Sequence, residues 1–371
     1  MRPLSTFLWS LAAAVLLLPR PATAQVINPA PGDTALARQR ALEQVQSKYD
    51  DKAFANPSVL GMGPSKGVIF RYERAPDFGI TSTAQQPDQH LTNGSGQIQK
   101  LNDLSLKIYA PLWNRPHLKI VLGFNYEKQQ YNLEHRDTIT YPLYRVIDDR
   151  NLRTIGSQLV VLRPIDGRRY FLVRTKGELN GDYKHGQREL PLRKYLKMSA
   201  EAFYGWKRSP RTSLAIGLQY GYTFGRISIY PAMIYNHTWN ERWGFEGLLP
   251  AKARVRYNLN ERTLFYGGYE VQGNSYTINL RPPLGNPAVR TAELRRSDIA
   301  GKVRGERELL PFLWIAAEVG YRYYVSFNVF DSPGANSRTS DSKLISSTLK
   351  SSPFANVEIF LTPPRKRILK Q

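Results

Sequence analysis

Leu118-Lys119-Ile120-Val121-Leu122-Gly123-Phe124-Asn125-Tyr126-Glu127 puts an apolar residue at every even position. The odd positions between them are mostly polar or small. Leu214, Ile216, Leu218, Tyr220, Tyr222 and Phe224 repeat the pattern against Ala215, Gly217, Gln219, Gly221 and Thr223. A period of two specifies a strand with one oily face and one wet or small face. Some fourteen segments read this way. Near the end of the chain Leu313, Ile315, Ala317, Val319, Tyr321 and Tyr323 alternate with Trp314, Ala316, Glu318, Gly320, Arg322 and Tyr324. The last strand sets Ala355, Val357, Ile359 and Leu361 against Asn356 and Glu358.

A β-sandwich in water would show the same alternation. Three features favour lipid. There are 22 tyrosines, and Trp113, Trp206, Trp239, Trp243 and Tyr257 fall near strand ends, where interfacial girdles belong. Many runs reach the ~9–11 residues that a tilted spanning strand requires. Small residues are common on the face opposite the aliphatics. The expectation is an all-β, closed, antiparallel up-and-down transmembrane β-barrel of about 12–14 strands, preceded by a short helical or coil segment. Pro231 and Pro250 interrupt strand-like runs, so two hairpins could merge and leave twelve.

Met1–Ala24 reads as a cleaved signal peptide: Arg2, an apolar stretch from Thr6 to Leu18, and Ala22-Thr23-Ala24 before Gln25. Residues 25–64 form a periplasmic segment in which Asp33 caps a short helix carrying Leu36, Leu42, Val45 and Tyr49. This segment reads as a periplasmic contact helix, a plug inside the pore, or a loosely ordered lead-in; its thin apolar stripe favours the last. Residues 65–363 form the barrel and 364–371 a basic periplasmic tail. Phe360 is not terminal, as the aromatic insertion signal of many barrels is. Short breaks at Leu112–Pro116, Pro164–Arg168, Lys207–Thr212, Trp239–Arg242, Leu259–Thr263 and Glu308–Phe312 carry turn residues. They alternate with longer connections at Ala75–Gln97, Gln130–Asn151, Gly181–Leu196, Pro282–Thr291 and Asp331–Ser351. Further connections near Gly225 and Pro250 must be tight. One rim therefore faces the periplasm and the other the outside.

Gly244-Phe245-Glu246-Gly247-Leu248-Leu249-Pro250-Ala251-Lys252-Ala253, an Asn-x-Arg turn, Tyr266-Gly267-Gly268-Tyr269 and Gly273-Asn274-Ser275-Tyr276 resemble an uncharacterised family of outer-membrane β-barrels from Bacteroidota-type bacteria. The resemblance spans roughly Gly67 to Pro363. It implies a barrel, and it brings no activity or site residue with it.

The formal charge is +22 and cysteine is absent. Absent cysteine excludes a lipoprotein anchor and disulfides. The basic residues form no helix stripe or aromatic-basic module, so nucleic acid is not an expected partner. Outer-membrane lipid, lipopolysaccharide and the barrel-assembly machinery are the expected ones, and the oligomeric state is not specified. No cofactor or metal is expected, because His90, His117, His135, His185 and His237 make no ligand spacing. His237 lies beside Asn236 and Thr238, which point to the opposite face, so they cannot form a dyad with it.

The charged residues within strands carry the functional reading. Arg174, Lys176 and Glu178 share one face; so do Lys252, Arg254 and Arg256, and on a third strand Arg296, Asp298, Lys302 and Arg304 with Glu306. Glu318 and Arg322 share a fourth. A mid-membrane Arg or Lys facing lipid would cost roughly 2–4 kcal/mol, so these faces must look inward. They form either a basic constriction for anions or a salt-bridged ladder in a packed lumen, the reading favoured here. The expected protein is a non-enzymatic outer-membrane barrel and passive pore or transporter for small, anionic solutes. The alternatives are an envelope-modifying enzyme at the rim and a structural or surface-binding barrel.

Overall fold

The computed structural model describes residues 54–85, 93–134, 141–183, 192–280, 290–331 and 342–363. The expected leader, the helix expected around residues 33–49, the expected tail and the histidines at 90, 135 and 185 lie outside the described residues. Sixteen strands follow one another as a single antiparallel meander. They are β1 (Val68–Ala75), β2 (Phe78–Ala84), β3 (Gly94–Arg115), β4 (Leu118–Leu133), β5 (Leu152–Pro164), β6 (Arg169–Gly181), β7 (Leu196–Ser209) and β8 (Thr212–Gly221). Then come β9 (Ser228–Thr238), β10 (Trp243–Leu249), β11 (Lys252–Asn260), β12 (Thr263–Leu280), β13 (Arg290–Leu310), β14 (Leu313–Asp331), β15 (Lys343–Leu349) and β16 (Ser352–Leu361). β1 and β2 are two halves of one strand, as are β15 and β16, which makes a closed barrel of fourteen. Closure runs from Val68↔Leu361 to Arg74↔Ala355 and continues from Ile80↔Leu349 to Ala84↔Ile345. No strand edge is left to face hydrocarbon.

Alternation sorts the side chains as the sequence predicts. Phe124, Leu159, Phe171, Ile216, Leu218, Val303, Val319 and Ile359 are exposed on the outer wall, whereas Glu178, Arg256, Asp298, Arg304, Glu318 and Glu358 are buried within. Pro231 stays inside β9 opposite Leu218, and Pro250 with Ala251 makes the β10–β11 turn. Neither merges a hairpin. All six short breaks are turns on one rim, and both ends of the barrel sequence lie there too.

The opposite rim departs from expectation. Residues 75–97 and 331–351 are not simple loops: β2, the start of β3 and β15 carry the wall onward through them. Residues 130–151 hold the end of β4 and a helix, α1 (Pro142–Asp149), with Pro142 in its first turn, where a missing N–H is harmless. Leu143, Tyr144, Val146 and Ile147 bury one side of α1 against an apolar core inside the tall part of the barrel, with Ile80, Ile98, Tyr131 and Leu294. Asp148 accepts the Leu133 N–H at 2.9 Å and ties the helix to β4. A β-bulge in β14 opposite Ser297/Asp298 shifts the inward phase so that Phe327 and Val329 join this core.

Wall height is uneven. β3, β12, β13 and β14 have 18 to 22 residues, and β8 to β11 only 7 to 11. Over the low side the chain folds back against β12. Residues 181–196 hold a one-turn helix, α2 (Leu192–Tyr195). Asp182, fully buried, accepts the Asn279 backbone N–H at 3.0 Å and its side-chain amide at 2.8 Å. The β8–β9 turn lies on Gly273, where a Cβ would come 2.3 Å from the Thr223 carbonyl oxygen. Only glycine allows that approach.

Two outcomes follow. Val303→Arg, at mid-wall opposite Val319, should destabilise the protein by about 2–4 kcal/mol when folding into lipid vesicles is titrated with denaturant. Burial pushes the Asp182 carboxyl up, partly offset by Asn279 and Arg150. Between the ordinary and the raised pKa the folded form holds a proton that the unfolded form has released, so the closure weakens as pH rises through the folded pKa. The protection factors of Thr277–Leu280, with exchange corrected for its intrinsic pH dependence, should be higher in acid than at neutral pH, and Asp182→Asn should remove the difference.

Candidate functional site: the barrel lumen

All thirteen charges singled out in the sequence face inward, and each is in an ion pair. The longest network starts at Lys66, whose ammonium lies 2.9 Å from Glu306 and 2.8 Å from Glu358. Arg304 contacts the same two carboxylates at 2.8 and 2.6 Å and reaches Glu318 at 3.7 Å. Lys302 bridges Glu318 (3.2 Å) and Glu270 (2.5 Å), and Lys252 approaches Glu270 at 3.8 Å. Asn356 donates to Glu318 at 2.8 Å and to Glu73 at 3.4 Å. From Glu73 the chain of contacts passes through Arg322 (2.5 Å) to Asp298 (3.2 Å) and on to Arg296 (2.9 Å). Arg296 also donates to Gln129 and Tyr131.

Two smaller groups line the other side. Glu246 holds Arg254 at 2.5 Å and Arg256 at 2.8 Å. Arg174 pairs with Glu201, and Lys176 with Glu178 at 2.8 Å. Inward parity on strands that also carry aliphatics was the signal that found the cations. The same signal was available for Glu73, Glu201, Glu246, Glu270 and Glu358, which sequence reasoning left out of the site. Buried charge persists only when its partners are present, and here carboxylates alternate with guanidinium and ammonium groups across neighbouring strands. The lumen is a ladder and not a one-sign ring.

The segment from Phe54 to Lys66 is no detached lead-in. It lies on the inner wall at the short-turn rim. The Asn236 amide donates to the Pro57 carbonyl at 2.8 Å, and Lys207 to that of Ser58 at 2.9 Å. Thr238 and Arg256 both donate to the Leu60 carbonyl, at 2.7 and 3.0 Å, and Asn258 to that of Gly61 at 3.0 Å. In return the Leu60 N–H reaches the Pro210 carbonyl at 3.0 Å. Gly61 takes φ +73°, and a Cβ there would meet the Asn258 amide at 2.7 Å. Apolar anchorage is slight: Ala55 packs with Tyr170, Phe203, Ala215 and Ala232. Nearby, Phe360 is buried inside the barrel, stacked on Trp314 under the Lys66 ammonium. Its ring does not face lipid.

His237 stands on the outer face near the short-turn rim. Its Nδ1 is 2.8 Å from the Thr212 hydroxyl, and its ring neighbours are Tyr235 and Trp239. Asn236 and Thr238 point inward to the 54–66 segment, as strand alternation requires. Among the described residues no three His, Asp or Glu side chains are grouped to hold a metal ion.

No family model and no curated protein sequence matches the chain. Solved structures that resemble it include a FadL homologue of Pseudomonas aeruginosa, 9% identical with TM-score 0.39 over 80% of this chain and 90% of that one. The toluene transporter TodX of Pseudomonas putida is 9% identical, with TM-score 0.32 over 82% and 92%. The NanC porin is 8% identical, with TM-score 0.32 over 78% and 100%. At these identities the likeness is one of barrel architecture.

Arg304→Ala would leave Glu306, Glu358 and Glu318 short of a partner in the lumen. Loss of about 3–5 kcal/mol is expected in denaturant unfolding from vesicles. The paired replacement Arg304→Met with Glu358→Met, which removes both signs together, should lose much less.

Proposed function

We propose that this protein is an integral outer-membrane β-barrel that works as a plugged channel for small solutes, opened when residues 54–63 leave the wall. The leader-like N-terminus, the apolar outer face and the complete strand closure support that location. The expected surroundings are membrane lipid and lipopolysaccharide on the outer wall, with the assembly machinery acting at insertion. One observation carries the channel reading: side-chain donors hold the segment mainly by its backbone carbonyls. Such bonds exchange for water at a net cost of about 1 kcal/mol each, whereas a packed apolar plug could not leave so cheaply. The ladder keeps its ion pairs when residues 54–63 move, since Lys66 stays with Glu306 and Glu358 and Arg256 keeps Glu246.

The apolar core under α1 favours a second reading, a structural barrel closed for good at its outer end. Planar-bilayer recording separates the two. The full chain should be silent or nearly so. A chain beginning at Pro64, folded as judged by its heat-shifted gel mobility, should conduct in steps at least several-fold larger. A folded, inserted but silent truncation would reject the channel and leave the structural barrel.

A further inference from the structure

The low side of the wall carries an open recess of about 280 Å³ that the ion-pair ladder does not fill. Its lining is unusual for a polar lumen. Val160, Leu172, Ile234 and Leu248 supply an aliphatic surface, and Arg174, Lys252 and Arg254 supply cations beside it. Strand register explains the arrangement. Ile234, Leu248 and Lys252 stand side by side on β9, β10 and β11, and Asn236, Glu246 and Arg254 form the row next to them. Across the cavity, Val160 stands beside Arg174 on β6 and Glu201 on β7.

The charges in the lining do not cancel. Its carboxylates, Glu201 and Glu246, are both buried and already committed, Glu201 to Arg174 and Gln219, and Glu246 to Arg254 and Arg256. Lys252 is the loosely held cation. Glu270 is 3.8 Å away and is bound more closely by Lys302 at 2.5 Å. The Lys252 and Arg174 side chains keep 34% and 40% of their surface exposed, so both can take a further acceptor. A guanidinium and an ammonium lining one recess beside aliphatic walls match an oxyanion attached to a compact hydrocarbon body.

We propose that this cavity binds a small anionic amphiphile, a carboxylate or phosphate monoester with a short alkyl body, whose oxygens meet Lys252 and Arg174 while its chain lies on Val160, Leu172, Ile234 and Leu248. The site names the solute class of the channel reading. It rests on that reading for passage and not for binding.

Calorimetric titration of the full-length folded protein with hexanoate and with hexyl phosphate tests it, with hexanol and hexylammonium as controls. Saturable binding of at least one anion is expected, with the two controls weaker by about tenfold or more, the scale of one charge-assisted contact. Hexanoate alone would assign a carboxylate ligand, and hexyl phosphate alone a phosphate one. Lys252→Gln should weaken binding about tenfold, and Val160→Phe, which fills the cavity and alters no charge, should abolish it. If Val160→Phe does not fold, Ile234→Phe takes its place. Equal affinity for anions and controls, unchanged affinity in Lys252→Gln, or no binding at all would overturn the proposal. Single-channel conductance of the truncated chain is a separate readout, so a silent channel with intact binding would sink the passage reading and leave the site standing.

Discussion

Hydrocarbon offers a polar group neither a hydrogen-bond partner nor a counter-ion, and every large feature of this molecule answers that constraint. Backbone amides in such a medium must pair within the chain, which forces the first and last strands together along Val68–Arg74 and Ala355–Leu361. Charged side chains must leave the outer face, and on a strand they can go only to the other side. Once inside a closed wall they lose most of their water and need one another. The ladder from Lys66 to Arg296 follows from the barrel's geometry as much as from any function. Arg304 among Glu306, Glu318 and Glu358 is its most connected rung.

Different chemistry fills the lumen at its two ends. At the short-turn rim, side-chain amides, hydroxyls and Arg256 hold a backbone segment that brings little apolar surface of its own. At the other rim the tall strands and α1 enclose a core of aliphatic and aromatic side chains. The first closure is hydrogen-bonded and replaceable by water; the second is a hydrophobic core. Between them, on the low side of the wall, lies the cavity beside Lys252 and Arg174.

The spanning wall was legible because its period is rigid. Leu313 to Tyr324 sort into two faces by sequence alone, and so do Lys252, Arg254 and Arg256. The bulge that turns Phe327 and Val329 inward was not visible, since one extra residue leaves no compositional mark. The tall rim was hidden for a related reason. Phe78-Gly79-Ile80-Thr81-Ser82-Thr83-Ala84 alternates, but its outer face is polar where it rises above lipid, so it reads as a connection. Helix α1 did carry a signal, in Pro142 followed by Leu143, Val146 and Ile147 at helical spacing. Within the lumen the charges could be assigned to a face but not to partners, because pairing depends on register and register on the turns. The seat of residues 54–66 had no signal at all: the wall binds carbonyl groups that every residue carries.

The face of each strand that meets acyl chains is the decisive quantity. The protein has no native cysteine, so single nitroxide labels can be placed in turn from Leu313 to Tyr324 in vesicle-inserted protein. Collision rates with oxygen, which concentrates in lipid, and with a water-soluble nickel chelate then report each position. A period of two is predicted, with odd positions reached by oxygen and shielded from nickel, and even positions shielded from oxygen. Nickel access at Val319 or Tyr321, or oxygen access at Glu318 and Arg322, would contradict it.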